Sequence, residues 1–492
     1  MRSARKKRMA TLVAGLCLLA SLLFAGTIVA GCGSSNAATT ASSQATATTA
    51  QATTTAGGAA TSAAGGDSGT ANGAPAAPPG DSSSSAVYPT KAAYTQSGDT
   101  KTVDGQTYTA ADDDQSGILV SDGGSLTVTN AKVDTTGNSS SLDSSSFYGL
   151  NAGVVATKGS TVQMSDSSIT TTGSGANGAF ATGEGTSVSL SNVTIEATGQ
   201  GGHGVMATQG GSVALNNVNI TTAGTNSAPL ATDRGGGTIT ATGGGATCSG
   251  KDSPALYSTG TLIVNGGTYK ATGAEAAVIE GSNSITLTDV DLSSTLADKW
   301  GVMIYQSMSG DAQGAKGMFT MTGGSLAISG SNSPVFYVTN STGNITLKGV
   351  QVTSASGVLL NAAQGSWGTS GSNGGTVNLI ADGQSLTGSI VADSASAVTV
   401  NLANGSKLES AINADKTASA INVTIDASST WTVTADSYLT TLTLSGGISG
   451  TSISNIIGNG HTVYYDSSNS ANSALGGQTY TLTSGGTLKP IS

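Results

Sequence analysis

The chain has 492 residues, of which 71 are Gly, 8 Pro and 3 Cys, with only 9% charged and 4% aromatic, against about 25% charged in ordinary soluble domains. So few charges cannot supply the polar faces of long amphipathic helices, which excludes a conventional helical enzyme. Abundant Gly beside Ser, Thr, Asn, Val and Ile suits short strands joined by tight turns. Five of the 18 basic residues (Arg2, Arg5, Lys6, Lys7, Arg8) lie in the first eight positions, so residues 32–492 carry 18 − 5 = 13 basic against 28 acidic residues, a net charge of −15. Such a surface repels phosphate backbones, and nucleic acid is excluded as an expected partner.

The N-terminus reads as an export segment. A basic start is followed by an apolar run over 9–30 and then by Val29-Ala30-Gly31-Cys32. Small residues directly before a cysteine at the end of such a run resemble the lipobox of bacterial lipoproteins. The resemblance implies that residues 1–31 are a signal peptide removed on export, that Cys32 is lipidated, and that the protein sits on the extracellular face of the bacterial membrane. An uncleaved membrane anchor and an ordinary secretory signal are the alternatives, and both also place the remainder outside the cytoplasm.

Residues 32–90 follow as a Ser/Thr/Ala/Gly-rich tether with Pro75, Pro78 and Pro79 and no aromatic before Tyr88. Its apolar content is too low to offset the entropy of ordering, so a disordered coil with a span on the order of 40 Å is expected. Of the cysteines, Cys17 lies in the signal and Cys32 at its end, leaving Cys248 without an intrachain partner. No metal-ligand spacing accompanies it, and neither a metal nor a cofactor is expected.

From residue 91 a short motif recurs, beginning at positions 153, 178, 204, 228, 254, 276, 301, 334 and 357. Examples are Gly153-Val154-Val155-Ala156-Thr157, Gly178-Ala179-Phe180-Ala181-Thr182 and Gly204-Val205-Met206-Ala207-Thr208. Successive starts differ by 25, 26, 24, 26, 22, 25, 33 and 23 residues, the sign of a solenoid. Two further alternating pieces follow each start, such as Val188-Ser189-Leu190 and Val193-Thr194-Ile195 after Gly178. Three short strands per coil of 22–26 residues predict an all-β, right-handed parallel β-helix with three sides over 91–375.

Stacked coils bring like residues above one another. The reading puts Val155, Phe180, Met206, Leu230, Leu256, Val278, Met303, Phe336 and Leu359 in one inward column, with the recurring glycines supplying the corners of positive φ that join faces. The neighbouring column, Ala156, Ala181, Ala207, Ala231, Tyr257, Ile279, Ile304, Tyr337 and Leu360, then faces outward and turns from small to apolar and aromatic halfway along. Tyr257, Ile279, Ile304 and Tyr337 are therefore the candidate ligand face. The long interval after Gly301 predicts an insertion over 307–317, either projecting or folded over this face, and a similar excursion is expected around 139–148. Alternating strands continue over 376–492, where Trp431, Tyr438, Tyr464, Tyr465 and Tyr480 are expected to close the core.

Several segments carry a family resemblance. Ser116-Gly117-Ile118-Leu119-Val120-Ser121-Asp122-Gly123-Gly124-Ser125-Leu126, Ser146-Phe147-Tyr148-Gly149, Asp233-Arg234-Gly235-Gly236-Gly237, Tyr305-Gln306-Ser307-Met308-Ser309-Gly310-Asp311-Ala312, and Gly405-Ser406-Lys407 with Trp431-Thr432-Val433-Thr434 resemble the adhesin-like right-handed β-helix proteins of bacterial surfaces. The likeness spans roughly residues 95–490. It implies fold and surface location and brings no catalytic residues with it.

Other residues invite chemistry less strongly. Asp112-Asp113-Asp114 offers oxygen ligands for Ca²⁺ but reads better as an acidic turn. Asp233-Arg234 reads as an intramolecular ion pair or carbonyl clamp before a sugar or carboxylate site. His203 and His461 read as solvated turn residues without paired acids. Thr157, Thr182, Thr208 and Thr232 make one short column, thin support for ice or mineral binding. The expected function is that of a non-catalytic, lipid-anchored adhesin or structural surface protein whose partners are glycans or neighbouring cell-surface proteins. A polysaccharide-active β-helix enzyme, lyase or glycosidase, is the alternative, and it requires convergent carboxylates.

Overall fold

The computed structural model describes residues 86–491. The expected signal peptide, Cys32 and the expected tether as far as residue 85 lie outside the described residues. The chain winds into an all-β parallel solenoid of about 16 turns. One face is a 12-stranded parallel sheet running from Lys91–Ser97 to Ser389–Ala392, and the second is a 14-stranded parallel sheet from Thr100–Asp104 to Thr441–Leu444. The third face is a 10-stranded sheet from Thr107–Ala110 to Gln351–Ser354, followed by a nine-stranded sheet that includes the C-terminal strands. At the break between those two, the Gln384 side chain accepts from the Val350 amide at 2.7 Å and donates to the Val350 carbonyl at 2.7 Å, in place of backbone pairing.

Registry is tight and residue-by-residue. Val188 of one coil pairs with Val162 below and Val213 above, and Ile195 with Ile169 and Ile220. These columns give a dry interior running the length of the solenoid. The chain passes from the second to the third face through one or two residues of positive φ, such as Asn130, Asp166, Asn192, Asn217 and the pair Gly243-Gly244, types that tolerate the left-handed region. Asn192 donates to Asp166 at 3.1 Å and Asn217 to Asn192 at 2.9 Å, so the corner is also a side-chain ladder.

Recurring glycines such as Gly123, Gly159, Gly185 and Gly210 do turn corners with positive φ, but most of those that open the motif act differently. Gly153, Gly178, Gly204 and Gly301 do not have positive φ; they are required by close approach. A Cβ on Gly178 would lie 2.5 Å from the Gly204 carbonyl oxygen and 2.5 Å from Ile195 Cγ2.

The two columns of the first sheet are exchanged relative to the sequence reading. Ala156, Ala181, Ala207, Ile279 and Ile304 point into the main interior, whereas Val155, Phe180, Met206, Val278 and Met303 lie on the outer face. The alignment also slips by one residue at the proline-containing repeats: Leu230 pairs with Val205 rather than Met206, Leu256 pairs with Ala277, and Phe336 pairs with Val302. The cause is that this sheet is covered on both sides, so both side-chain sets are apolar and alternation cannot say which faces inward.

The interval around 139–148 contains the helix Leu142–Tyr148, capped by the Ser141 side chain and ended by Gly149 at φ 76°. Val87 donates its amide to Ser144 at 3.1 Å and Tyr88 packs on Tyr148 with centroids 4.5 Å apart, so residues entering the first coil dock on this helix. At the far end Trp431, Tyr465 and Tyr480 are buried and fill the core, while Tyr438 and Tyr464 lie on the outer surface. By contrast with the first sheet, the second presents open columns of short polar side chains, for example Thr286, Thr320 and Thr346 in register.

Candidate functional site

The outer face of the first sheet gathers a cluster of aromatic and ionisable side chains. Its N-terminal half is closed. The helix Leu142–Tyr148 and its Gly149 cap lie over Val155, Phe180 and Met206, all buried. The Phe147 carbonyl accepts from Thr208 Oγ1 at 2.9 Å, and Thr208 Oγ1 also meets Thr182 Oγ1 at 2.9 Å. Thr157 continues this column, whereas Thr232 pairs with Ala207 and turns inward.

Arg234 sits at the edge of that cover. Its guanidinium carbon stands 3.8 Å from the centre of the Phe147 ring and its Nη2 is 3.0 Å from Asp311, in the 306–315 segment. The ion-pair reading of Asp233-Arg234 therefore holds with Asp311 as the partner, while the Asp233 side chain caps the Arg234 amide at 2.7 Å. Burial, with the Asp311 and Glu280 charges adding to it, pushes the Asp233 carboxyl well above its usual range.

The excursion expected at 307–317 folds back instead of projecting. Gln306 donates to the carbonyls of Ala312 and Gly314, and Asn340 donates to the Gln306 carbonyl at 2.7 Å. Beneath it lies Glu280, almost fully buried, whose Oε2 accepts from Tyr257 at 2.8 Å and from Tyr305 at 2.9 Å, and whose Oε1 accepts from the Ser307 hydroxyl. Burial raises its pKa against the opposing pull of these hydroxyls. Tyr257 and Tyr305 are in turn held well above the usual tyrosine range by burial and by the Glu280 charge.

Beyond this cover the face opens onto an aromatic shelf. Trp300 lies flat on Tyr337, with ring centroids 4.3 Å apart and planes 5° from parallel, and Trp367 tilts against Tyr305 with centroids 4.8 Å apart. Both indoles are half-buried and backed by the column Tyr257, Val278, Met303 and Tyr337. The loop carrying Trp367 is fixed by Asn373, whose Nδ2 donates to the carbonyls of Gly365 at 2.8 Å and Trp367 at 2.6 Å. Alongside runs a charged chain: Lys299 Nζ is 3.0 Å from Asp252 and 3.9 Å from Glu275, and 5.9 Å from the Trp300 ring centre. Burial raises the Glu275 pKa although Lys299 opposes it, and Glu275 Oε2 is buried without a hydrogen-bond partner.

Of the four residues expected to form a ligand face, two lie on the outer side of the first sheet. Tyr257 and Tyr337 belong to the outer column; Ile279 and Ile304 are core residues, 0% and 1% exposed. Sequence reasoning missed Trp300, Trp367, Tyr305, Glu275 and Glu280. The available signal was that two of the chain's three tryptophans, Trp300 and Trp367, lie at irregular positions, Trp300 just before the coil bearing the insertion and Trp367 two coils further on.

The remaining candidates are structural. Asp113 and Asp114 accept from the Asn138 and Ser140 amides at 2.8 and 2.7 Å and so tie one coil to the next. His203 is a correction: it is buried, not solvated, with Nδ1 3.3 Å from the Ala228 carbonyl, and burial lowers its pKa to about 4. His461 is half-buried, 3.9 Å from Asp436. Cys248 is buried, its thiol directed at the Ser253 carbonyl, and burial pushes it up to about 12, away from the reactive thiolate. Among the described residues no three His, Cys, Asp or Glu side chains are arranged to hold a metal ion, and no helix is long and apolar enough to cross a membrane. No family model matches the chain, and neither a curated protein nor a solved structure matches it significantly.

Proposed function

We propose that this chain is a non-catalytic binding rod of adhesin type, lipid-anchored through Cys32 at the extracellular face of a bacterial membrane, and that its aromatic shelf takes glycans of a neighbouring or host surface. One observation carries the binding reading: Trp300 and Trp367, both half-buried, are held on Tyr337 and Tyr305 at the open end of an otherwise covered face. Rigid aromatic rings present apolar area with little conformational entropy left to lose, which suits the C–H faces of sugars. The Glu280 carboxylate supports the non-catalytic part, since three hydroxyls already occupy its two oxygens.

A glycan array and whole-cell binding with the exported protein test the reading. Saturable binding that falls at least about tenfold in both Trp300→Ala and Trp367→Ala supports it. Unchanged binding in both variants, with melting temperatures preserved, overturns it. A polysaccharide lyase or glycosidase is the second reading, favoured by Glu275, whose Oε2 has no hydrogen-bond partner and whose pKa burial raises in the direction a general acid needs. Release of reducing ends or unsaturated uronates by the same sample, lost in Glu275→Gln, establishes it.

A further inference from the structure

A second groove lies at the C-terminal end, on the outer side of the strands Ser437–Leu439, Thr462–Asp466 and Thr487–Ile491. In these strands Tyr438 pairs with Tyr464, and Tyr464 with Lys489, so the three side chains form one outward column. The tyrosine rings are stacked with centroids 4.7 Å apart and planes 3° from parallel. From the preceding coil, Lys416 Nζ stands 4.0 Å from the centre of the Tyr438 ring. The aromatic pair thus has one lysine at its flank and a second next to Tyr464 in the column, in a chain whose formal net charge is −10. Beside it runs a groove of about 420 Å³, lined by Asn413, Lys416, Ser419, Tyr438, Asp466 and Ser468 among others.

We propose that this groove binds an acidic saccharide chain bearing carboxylate or sulfate groups. Tyr438 stacks against Tyr464, and Lys416 Nζ lies against the flank of the pair, 4.0 Å from the Tyr438 and 5.8 Å from the Tyr464 ring centre, so the groove meets a cationic flank and aromatic edges. Aromatic edges carry the positive part of the ring quadrupole, so this wall favours oxygen-rich anionic ligands over a sugar face seeking a stacking partner. The two lysines add the same sign, one beside the stacked pair and one at the end of the column. Asp466 is the opposing charge in the groove. Its Oδ1 accepts from the Ser468 amide at 2.9 Å and from the Ser468 hydroxyl at 2.6 Å, and these hydrogen bonds hold its pKa low, so it remains ionised. It therefore sets orientation: the ligand's acidic group meets Lys416 and a sugar hydroxyl donates to Asp466. A free hydroxyl beside an acidic group is the property of a saccharide, which a simple polyanion lacks.

The test is titration calorimetry on the exported protein at low ionic strength, with oligogalacturonate, a sulfated glycosaminoglycan fragment, a neutral glucan oligosaccharide and polyglutamate as probes. Binding of either acidic oligosaccharide at least about tenfold tighter than the neutral one supports the proposal, and which of the two binds identifies carboxylate or sulfate as the acidic group. That affinity should fall about tenfold or more in Lys416→Gln/Lys489→Gln, should weaken with added salt, and should be unchanged in Trp300→Ala. Equal binding of neutral and acidic oligosaccharides, equal binding of polyglutamate, or full affinity in the folded double variant overturns it. Loss of this binding in Trp300→Ala overturns it as well, since the ligand would then belong to the aromatic shelf.

Discussion

Trp300 stacks on Tyr337 across two coils, their rings 4.3 Å apart and nearly parallel, so the indole is held in place before any ligand arrives. Trp300→Ala is expected to reduce glycan binding by at least about tenfold while lowering the melting temperature only slightly, because the indole is half-buried and Tyr337 remains packed on Met303. Quenching of tryptophan fluorescence by the bound glycan provides an independent readout, and its persistence in Trp300→Ala would assign the signal to Trp367.

Arg234 joins the two covers of the outer face, resting on Phe147 of the helix and pairing with Asp311 of the 306–315 segment. The ion pair is partly exposed and contributes little, under about 1 kcal/mol; the cation–π contact adds about 1 kcal/mol. Asp311→Asn is therefore expected to cost less stability than Arg234→Ala, by denaturant unfolding. Both variants should be cleaved faster within residues 306–315 by limited proteolysis. Equal resistance to protease in all three proteins would show that Gln306 and Asn340 hold this segment unaided.

Glu280 has an ordinary pKa of 4.5 that burial raises in the folded chain. Between 4.5 and the raised value the folded state holds a proton that the unfolded state has lost, so this contribution is fully present below about pH 4.5 and declines as pH rises through the window. Glu280→Gln keeps a side chain able to bond the surrounding hydroxyls but cannot ionise. Its melting temperature is expected to depend less on pH above 4.5 than that of the parent chain. Parallel curves would show that Glu280 is not the group responsible.

His203 produces the opposite slope. Its pKa falls from 6.5 to about 4 on burial, so the unfolded chain takes up a proton first as the medium acidifies. Stability is complete above about pH 6.5 and is lost progressively towards pH 4, by about 3 kcal/mol in all if the shift is fully expressed. His203→Asn, which places at this position the residue found one coil earlier at Asn177, is expected to abolish that acid sensitivity. Differential scanning calorimetry from pH 4 to 7 measures it directly.

Much of the architecture is legible from spacing alone, because a solenoid repeats a local pattern and the 22–26-residue period survives substitution at single positions. Facing was not legible in the first sheet. Gly204-Val205-Met206-Ala207-Thr208 buries residues on both sides, and only the helix Leu142–Tyr148, which no periodicity announces, explains why Met206 is apolar though it points outward. The candidate site suffered the same error: Ile279 and Ile304 were grouped with Tyr257 and Tyr337 by a register that slips one residue at Pro229, Pro254 and Pro334. Trp300 and Trp367 escaped notice because each lies outside a strand, where stacking is set by loop geometry rather than by period.

Gly178 and Gly159 separate the two reasons for which this fold needs glycine. Gly159 has φ +71° with nothing within 4 Å of a Cβ, so Gly159→Ala should cost only about 1 kcal/mol of backbone strain. Gly178 has no such φ, yet its Cβ would meet the Gly204 carbonyl at 2.5 Å. That oxygen is fixed by accepting from the Ala179 amide at 3.0 Å, and Ile195 blocks the other side at 2.5 Å. Relief therefore requires the two coils to separate locally, breaking inter-coil hydrogen bonds in the first sheet. Gly178→Ala is expected to cost about 3 kcal/mol, well beyond the loss in Gly159→Ala, by equilibrium unfolding in guanidinium. The reverse order would restore positive φ, rather than coil spacing, as the reason for the repeated glycine.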